Sequence, residues 1–274
     1  MYCKSQRASN RGNILSLLTL IEDVIGHNDV NISMNGANFE GEDVQLLTDK
    51  IQERLSRAIK KRYQYESNLK AAQKFLLDFV NTKVPLVILY ADLVGSTKMS
   101  MSLPVRSMVT IIRAFSYEMS NIIINSGGYV LKYSGDAVIA FFPSNINKKS
   151  ALKRVLERAN LMIEAIEKGI NPVLIQNNMP ELRVRVGIDE GEDLIIQYGH
   201  DTTSLIDILG YTMNRTAKIT SLSLPNGITI GQNVFVNLPL DMKQNYKEVR
   251  FDTEKWKYID LRTGELYKLY SNIG

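Results

Sequence analysis

Two aspartates carry the chemistry that is legible in this chain. Asp92 stands at the end of the apolar run Val84 to Ala91, where the chain turns into Gly95-Ser96-Thr97. Asp136 lies 44 positions further on, in the turn Ser134-Gly135-Asp136 between two further apolar runs. A carboxylate at the end of a buried strand is costly unless something occupies it. Two of them at the ends of neighbouring strands are what a pair of divalent cations needs, because hard cations take oxygen ligands and often use few protein carboxylates beside substrate phosphates. Gly95, Ser96 and Thr97 can offer backbone N–H groups to an anion, with the start of a helix just beyond them favouring phosphate. The plainer alternatives are that Asp92 caps its turn and that Asp136 is an ordinary hairpin residue.

Composition narrows the chemistry to oxygen ligands. The single cysteine, Cys3, can form no internal disulfide, and the only histidines, His27 and His200, cannot build a multi-histidine centre, so any metal must sit on carboxylates. A formal charge of +4, from 33 Lys+Arg against 29 Asp+Glu, permits an anionic ligand but is too mild to argue for nucleic acid. With 45% hydrophobic and 23% charged residues, the 274-residue chain has the composition of a globular protein, not a disordered one. Its length suits one large domain, or a catalytic domain with an appendage. No apolar run reaches the roughly 18 residues of a membrane span. Glu22 and Asp23 directly follow the apolar run 14–21, which argues against a signal peptide, so a soluble, cytoplasmic protein is expected.

The elements that must position the two aspartates follow from periodicity. Ile14 to Ile25 reads as an amphipathic helix, and residues 27–42 as a connection. From Val44 to Phe79 a heptad-like stripe predicts a long helix, either packed on its own domain or serving as a dimerising or signalling coiled coil. This gives an expected division into a helical region, 1–83, and a catalytic domain, 84–274. In the latter, Val84–Ala91 reads as a buried strand and Ser107–Ile124 as a helix. Tyr129–Tyr133 and Ala137–Phe142 read as a hairpin, Lys149–Lys168 as a second helix, and Arg183–Asp189 with Leu194–Tyr198 as a second hairpin around Glu190-Gly191. That order is the ferredoxin-like βαββαβ arrangement of an α+β protein, which fixes no activity by itself.

Four motifs in order then resemble the class III nucleotidyl cyclases, the adenylate/guanylate cyclase family. They are Asp-Leu-Val-Gly-Ser-Thr (92–97), Lys-x-x-Gly-Asp (132–136), Val-Arg-Val-Gly-Ile-Asp-Glu-Gly-Glu (184–192) and Asp-Ile-Leu-Gly-x-x-x-Asn (207–214). The resemblance implies that Asp92, Asp136 and the backbone carbonyl of Leu93 bind two divalent cations, Mg²⁺ or Mn²⁺. The substrate's own 3′-hydroxyl then attacks the α-phosphorus in line, and pyrophosphate leaves. It assigns Asn214 to orienting the ribose and Lys132 with Asp207 to reading the base. A carboxylate accepts from an exocyclic amino group while an ammonium donates to a ring acceptor, a pattern that adenine offers and cytosine shares. It also implies a homodimer in which each chain completes the other's site.

One position departs from the family. Lys218 stands where an arginine usually stabilises the transition state, and lysine keeps the charge but loses the planar fork. A slower enzyme, a role for the neighbouring Arg215, or a degenerate catalyst are the alternatives. ATP is the first expected substrate. A pyrimidine cyclase similar to the short stand-alone enzymes of Pycsar anti-phage systems is the rival, since no sensor domain is recognisable beyond the helices. A non-catalytic, nucleotide-binding signalling module is the alternative from another class. An RNA-binding ferredoxin-like domain would need exposed aromatics on its central strands, such as Tyr129 and Tyr133, but buried strands with carboxylate ends make poor RNA platforms, so no nucleic-acid partner is expected.

Overall fold

Period-two alternation in one strand decides the architecture. In β1 (Lys83–Leu93), Val87, Leu89, Ala91 and Leu93 are buried with the apolar faces of several helices, while Leu86, Ile88, Tyr90 and Asp92 take the opposite face of the sheet. The computed structural model describes residues 41–61, 69–144, 148–201 and 203–273. The helix expected over 14–25 and most of the connection at 27–42 lie outside the described residues. Residues 41–42 already belong to a helix.

The described elements are helix α1 (Gly41–Lys61), α2 (Lys70–Leu77), β1, α3 (Ser96–Ser102) and α4 (Val105–Ile124). Strands β2 (Tyr129–Ser134) and β3 (Ala137–Pro143) follow, then α5 (Lys148–Glu164), which runs through a π-helical turn at 165–170 into α6 (Asn171–Gln176). After them come β4 (Val184–Gln197), β5 (Ile206–Leu209), α7 (Tyr211–Leu222), β6 (Ile228–Gly231), α8 (Gln232–Asn237), α9 (Leu240–Lys243), β7 (Lys247–Val249) and β8 (Leu269–Ser271). The sheet order is β2-β3-β1-β4-β6-β8-β7, with β5 paired to β4. β1 is antiparallel to both β3 and β4, as the ferredoxin-like core requires, and β4 with β6 is parallel.

Two expectations are corrected. The second hairpin does not exist: residues 184–197 form one continuous strand. Glu190 and Gly191 stay extended because Glu190 is buried and the half-buried Gly191 lies against a helix. Glu190 is 4% exposed, and a Cβ on Gly191 would stand 2.3 Å from the Thr212 hydroxyl of α7. The turn the dipeptide suggested is replaced by a close approach of helix to strand. The first hairpin is as expected, with Gly135 at φ +63 between β2 and β3.

The long heptad stripe is found as two described helices, α1 and α2, with residues 62–68 between them outside the described residues. In α1 the stripe residues Thr48, Ile51, Leu55 and Ala58 are buried, and Ile51 and Leu55 belong to the core of the same compact unit. Arg54 clamps the buried Glu118 of α4 with Nε and Nη2 at 2.8 and 2.6 Å. Gly169 in the π-turn leaves room for Ile51, since a Cβ there would come within 2.9 Å of it.

Candidate active site

Strand register brings the two aspartates together. Asp92 pairs with Ala137 on β3, so Asp136, one residue earlier, sits at the same end of the sheet, and its carbonyl accepts from the Leu93 amide at 3.4 Å. The Asp92 carboxyl is held above the usual range chiefly by burial. Asp136, by its charge and a shared hydrogen bond, pushes the same way, and Arg185 opposes both. Both side chains are only half-buried. The Leu93 side chain is in the core, so any contribution of this residue to a cation would come from its backbone carbonyl.

Arg185 is the residue that motif reading missed here. It stands opposite Asp92 on β4, and its Nε and Nη2 both donate to Asp92 Oδ2, at 2.7 and 2.6 Å. Its Nη1 reaches the Ser221 carbonyl at the end of α7, 3.2 Å away. The signal was present in Val-Arg-Val-Gly, where the arginine alternates with buried valines, but the cross-strand partner is a matter of register. Beside this end, Gly95 takes φ +79 and opens α3, with Ser96 half-buried and Thr97 exposed.

A second group forms on the same face. Lys132, Ile139, Tyr90 and Gly187 lie in one row across β2, β3, β1 and β4. From that row Lys132 Nζ reaches Asp207 Oδ2 on β5 at 2.5 Å, and Asp207 Oδ1 accepts the Ile208 amide at 2.9 Å. Asp207 is thus a strand residue and not the N-terminal acid of a helix. Tyr90 stands nearby, its phenol pushed up to about 12 by burial and then by Asp207 and Asp193. Helix α2 holds both supporting strands. Gln73 exchanges two hydrogen bonds of 2.9 Å with the Ile206 backbone of β5, and Phe75 packs on Tyr129 of β2.

The third group is on α7. Asn214 is exposed and Lys218 half-buried, one turn apart and therefore on one face. Arg215 is turned the other way. It is 5% exposed, bonded through Nε to Asp189 Oδ2 at 2.5 Å and stacked 3.9 Å over the Tyr267 ring. The suggestion that Arg215 takes over from Lys218 is therefore overturned, because its guanidinium is committed inside the protein. Near the C-terminus the basic residues Lys255, Lys257 and Arg262, any of which could contact phosphate, are all exposed, and Lys255 and Arg262 pair with Asp252 and Asp260. Among the described residues no direct hydrogen bond or ion pair links one of the three groups to another. Nor is there a cluster of three or more His, Cys, Asp or Glu side chains able to hold a metal. Any cation on Asp92 and Asp136 would therefore complete its shell with backbone oxygen, water or substrate.

The family model for the adenylate and guanylate cyclase catalytic domain matches residues 80–269, and the chain belongs to that family. Among curated proteins it is 24% identical over 178 residues to a cytidylate cyclase of Staphylococcus aureus, covering 64% of this chain and 42% of that one. It is 26% identical over 180 residues to a cytidylate cyclase of Escherichia coli, covering 63% and 40%. A uridylate cyclase of Burkholderia cepacia is 29% identical over 138 residues, covering 50% and 58%. The chain thus spans about two fifths of the length of the two cytidylate cyclases. The crystal structure of the adenylyl cyclase CyaB from P. aeruginosa shares the fold with a TM-score of 0.55 at 21% identity, covering 69% of this chain and 94% of that one. Among the described residues no helix is long and apolar enough to cross a membrane.

Proposed function

We propose that the chain is a metal-dependent nucleotidyl cyclase, converting a nucleoside triphosphate to its 3′,5′-cyclic nucleotide and pyrophosphate. The observation that carries this reading is the convergence of Asp92 and Asp136 at one sheet end, within a match to the adenylate and guanylate cyclase catalytic domain. Two half-exposed carboxylates and a backbone carbonyl are hard oxygen donors that fit Mg²⁺ or Mn²⁺. Bound there with the substrate, such cations would lower the pKa of the 3′-hydroxyl and neutralise charge on the triphosphate. Arg185 balances the paired carboxylates and adds a fixed positive charge beside them. Gly95, Ser96 and Thr97 present backbone N–H groups to phosphate. Asn214 orients the ribose, and Lys218, one turn on, supplies a single-point positive charge to the reacting phosphate.

Base selection falls to Lys132 and Asp207. An ammonium and a carboxylate 2.5 Å apart offer one donor beside one acceptor, which suits an exocyclic amino group next to a ring nitrogen. Cytosine and adenine both present that edge. The similarity to cytidylate and uridylate cyclases favours CTP as the first substrate to test, with ATP second. The reading also takes residues 84–274 as the catalytic part, 1–83 as a helical region ahead of it, and a cytoplasmic homodimer as the working form. Each chain would bring its metal end to the partner's Asn214, Lys218, Lys132 and Asp207. Assaying all four nucleoside triphosphates with Mn²⁺ and with Mg²⁺, beside Asp92→Ala and Asp136→Ala, tests this. No cyclic product from any triphosphate, or full activity in the aspartate variants, would overturn it.

A further inference from the structure

Asp189 is fully buried at the centre of the face on which α7 lies, and every one of its interactions is spoken for. Oδ2 accepts from Arg215 Nε at 2.5 Å, while Oδ1 accepts from the Tyr267 hydroxyl and the Glu190 amide, each at 2.8 Å. Tyr267 in turn accepts the Asn233 amide at 2.8 Å, and its carbonyl receives the indole of the buried Trp256 at 2.7 Å. Arg215 also reaches the Glu190 carbonyl at 3.4 Å and lies over the Tyr267 and Tyr211 rings. The cluster therefore joins β4, α7, the start of α8 and the segment leading into β8.

The seat of α7 around this cluster is close-fitting. Gly187 faces Thr220, whose backbone nitrogen would be 2.7 Å from an added Cβ, and Gly191 faces the Thr212 side chain, whose hydroxyl would be 2.3 Å away. Thr212, Thr216 and Thr220 are all buried, and the hydroxyls of Thr216 and Thr220 bond back to the carbonyls four residues earlier. Eight residues of helix rise about 12 Å and four residues of strand about 13 Å, so the two contact points match in length. Asp189 is midway between the two glycines, and Arg215 is near the midpoint of the threonine stripe. Gly231 leaves room for the carboxylate, since a Cβ there would stand 2.2 Å from Oδ1. Glycines and threonines alone set how near the helix lies, but smooth surfaces permit sliding and rolling. A directional ion pair at the midpoint removes both freedoms.

We infer that Asp189, Arg215 and Tyr267 form a positioning latch that fixes the rotation and axial height of α7, and thereby where Asn214 and Lys218 meet the nucleotide. The inference rests on the proposed roles of those two residues. Arg215 directly follows Asn214, so a helix rolled to follow a lost Arg215–Asp189 bond carries Asn214 off its line. None of the three latch residues touches substrate in this scheme.

The test compares latch variants with Asn214→Ala in the full chain. Asp189→Leu combined with Arg215→Met replaces the ion pair with apolar groups and keeps the core filled, and Tyr267→Phe removes only one hydroxyl. Turnover per folded molecule, with folding checked by thermal melting, should fall about 10²-fold in the double variant and about tenfold in Tyr267→Phe. KM for the triphosphate should stay within about threefold. Adding Asn214→Ala to the double variant should cost little more, because both changes remove the same alignment. Wild-type turnover in a folded double variant, or losses that multiply in full when Asn214→Ala is added, would overturn the latch. Full activity of Asn214→Ala in a chain with an intact latch would overturn the reading of Asn214 itself, so the two failures are told apart.

Discussion

Strand β4 carries two aspartate–arginine pairs on one face, and they are built to opposite ends. At its start Arg185 meets Asp92 of β1, with side-chain exposures of 31% and 17%. Four residues along, Asp189 meets Arg215 of α7, with exposures of 0% and 6%. In the inner pair both carboxylate oxygens have protein donors. In the outer pair Arg185 takes one oxygen twice, and a second carboxylate, Asp136, crowds the same place. A fully bonded buried pair resists rearrangement, whereas a half-exposed pair with an extra negative charge still gains from a cation. In the proposed scheme the same two residue types serve once to hold an element still and once to keep a site ready for a ligand.

The comparison breaks first on activity. Removing Asp92 or Asp136 as alanine is expected to lower turnover about 10³-fold, about 4 kcal/mol at the barrier, with the thermal midpoint little changed. Turnover and melting measured on the same samples check this. The inner pair should show the reverse balance in stability. Arg215→Met strands a buried carboxylate and is expected to cost about 3–5 kcal/mol in urea unfolding. The neutralised combination with Asp189→Leu should recover most of that loss, because its cost lies in the unpaired charge and not in the missing bond. If Arg215→Met proved as mild as a surface change, the inner pair would not be the fixed point described.

Acid titration sharpens the same contrast. Burial raises the Asp189 carboxyl from 3.8 to about 6, against the opposing pull of Arg215, Tyr267 and the Glu190 amide. The folded state therefore binds this proton more readily than the unfolded chain does. The group's contribution to stability is full below about 4 and is lost as pH rises through about 6. Relative to Asp189→Asn, the wild type is expected to lose on the order of 2–3 kcal/mol across that window. Unfolding curves for both proteins between pH 4 and 7 check the sign. A difference that grew in the other direction would mean that the ion pair outweighs the cost of burial.

Much of this arrangement could be read from residue order, and the part that could not has a physical reason. The apolar run before Asp92, the Gly135 turn before Asp136 and the helix at 105–124 are local signals, and the strand order β2-β3-β1-β4 follows from their succession. Glu190-Gly191 misled because a glycine needed for close helix approach looks the same in sequence as one needed for a turn. Arg185 and Arg215 were illegible as partners, since each is paired across elements 93 and 26 residues apart in the chain. Lys132 and Asp207, 75 residues apart, were placed together only by family resemblance, and β5 supplies the physical reason they meet.

The smallest expected effect falls on the outer arginine. Arg185→Met removes a half-exposed pair, so its cost in stability should be at most about 1 kcal/mol. It also removes the group that competes with a cation for Asp92 Oδ2. Mn²⁺ binding without nucleotide, followed by calorimetry at neutral pH, should therefore tighten severalfold, while turnover falls because the positive charge beside the triphosphate is gone. Binding should weaken as pH drops in both proteins, since the Asp92 carboxyl sits above the usual range and protons compete for it early. Weaker Mn²⁺ binding in Arg185→Met would show that the arginine organises the carboxylates for the cation instead of standing in for it. That result would make the outer pair a second fixed element and dissolve the contrast with the inner one.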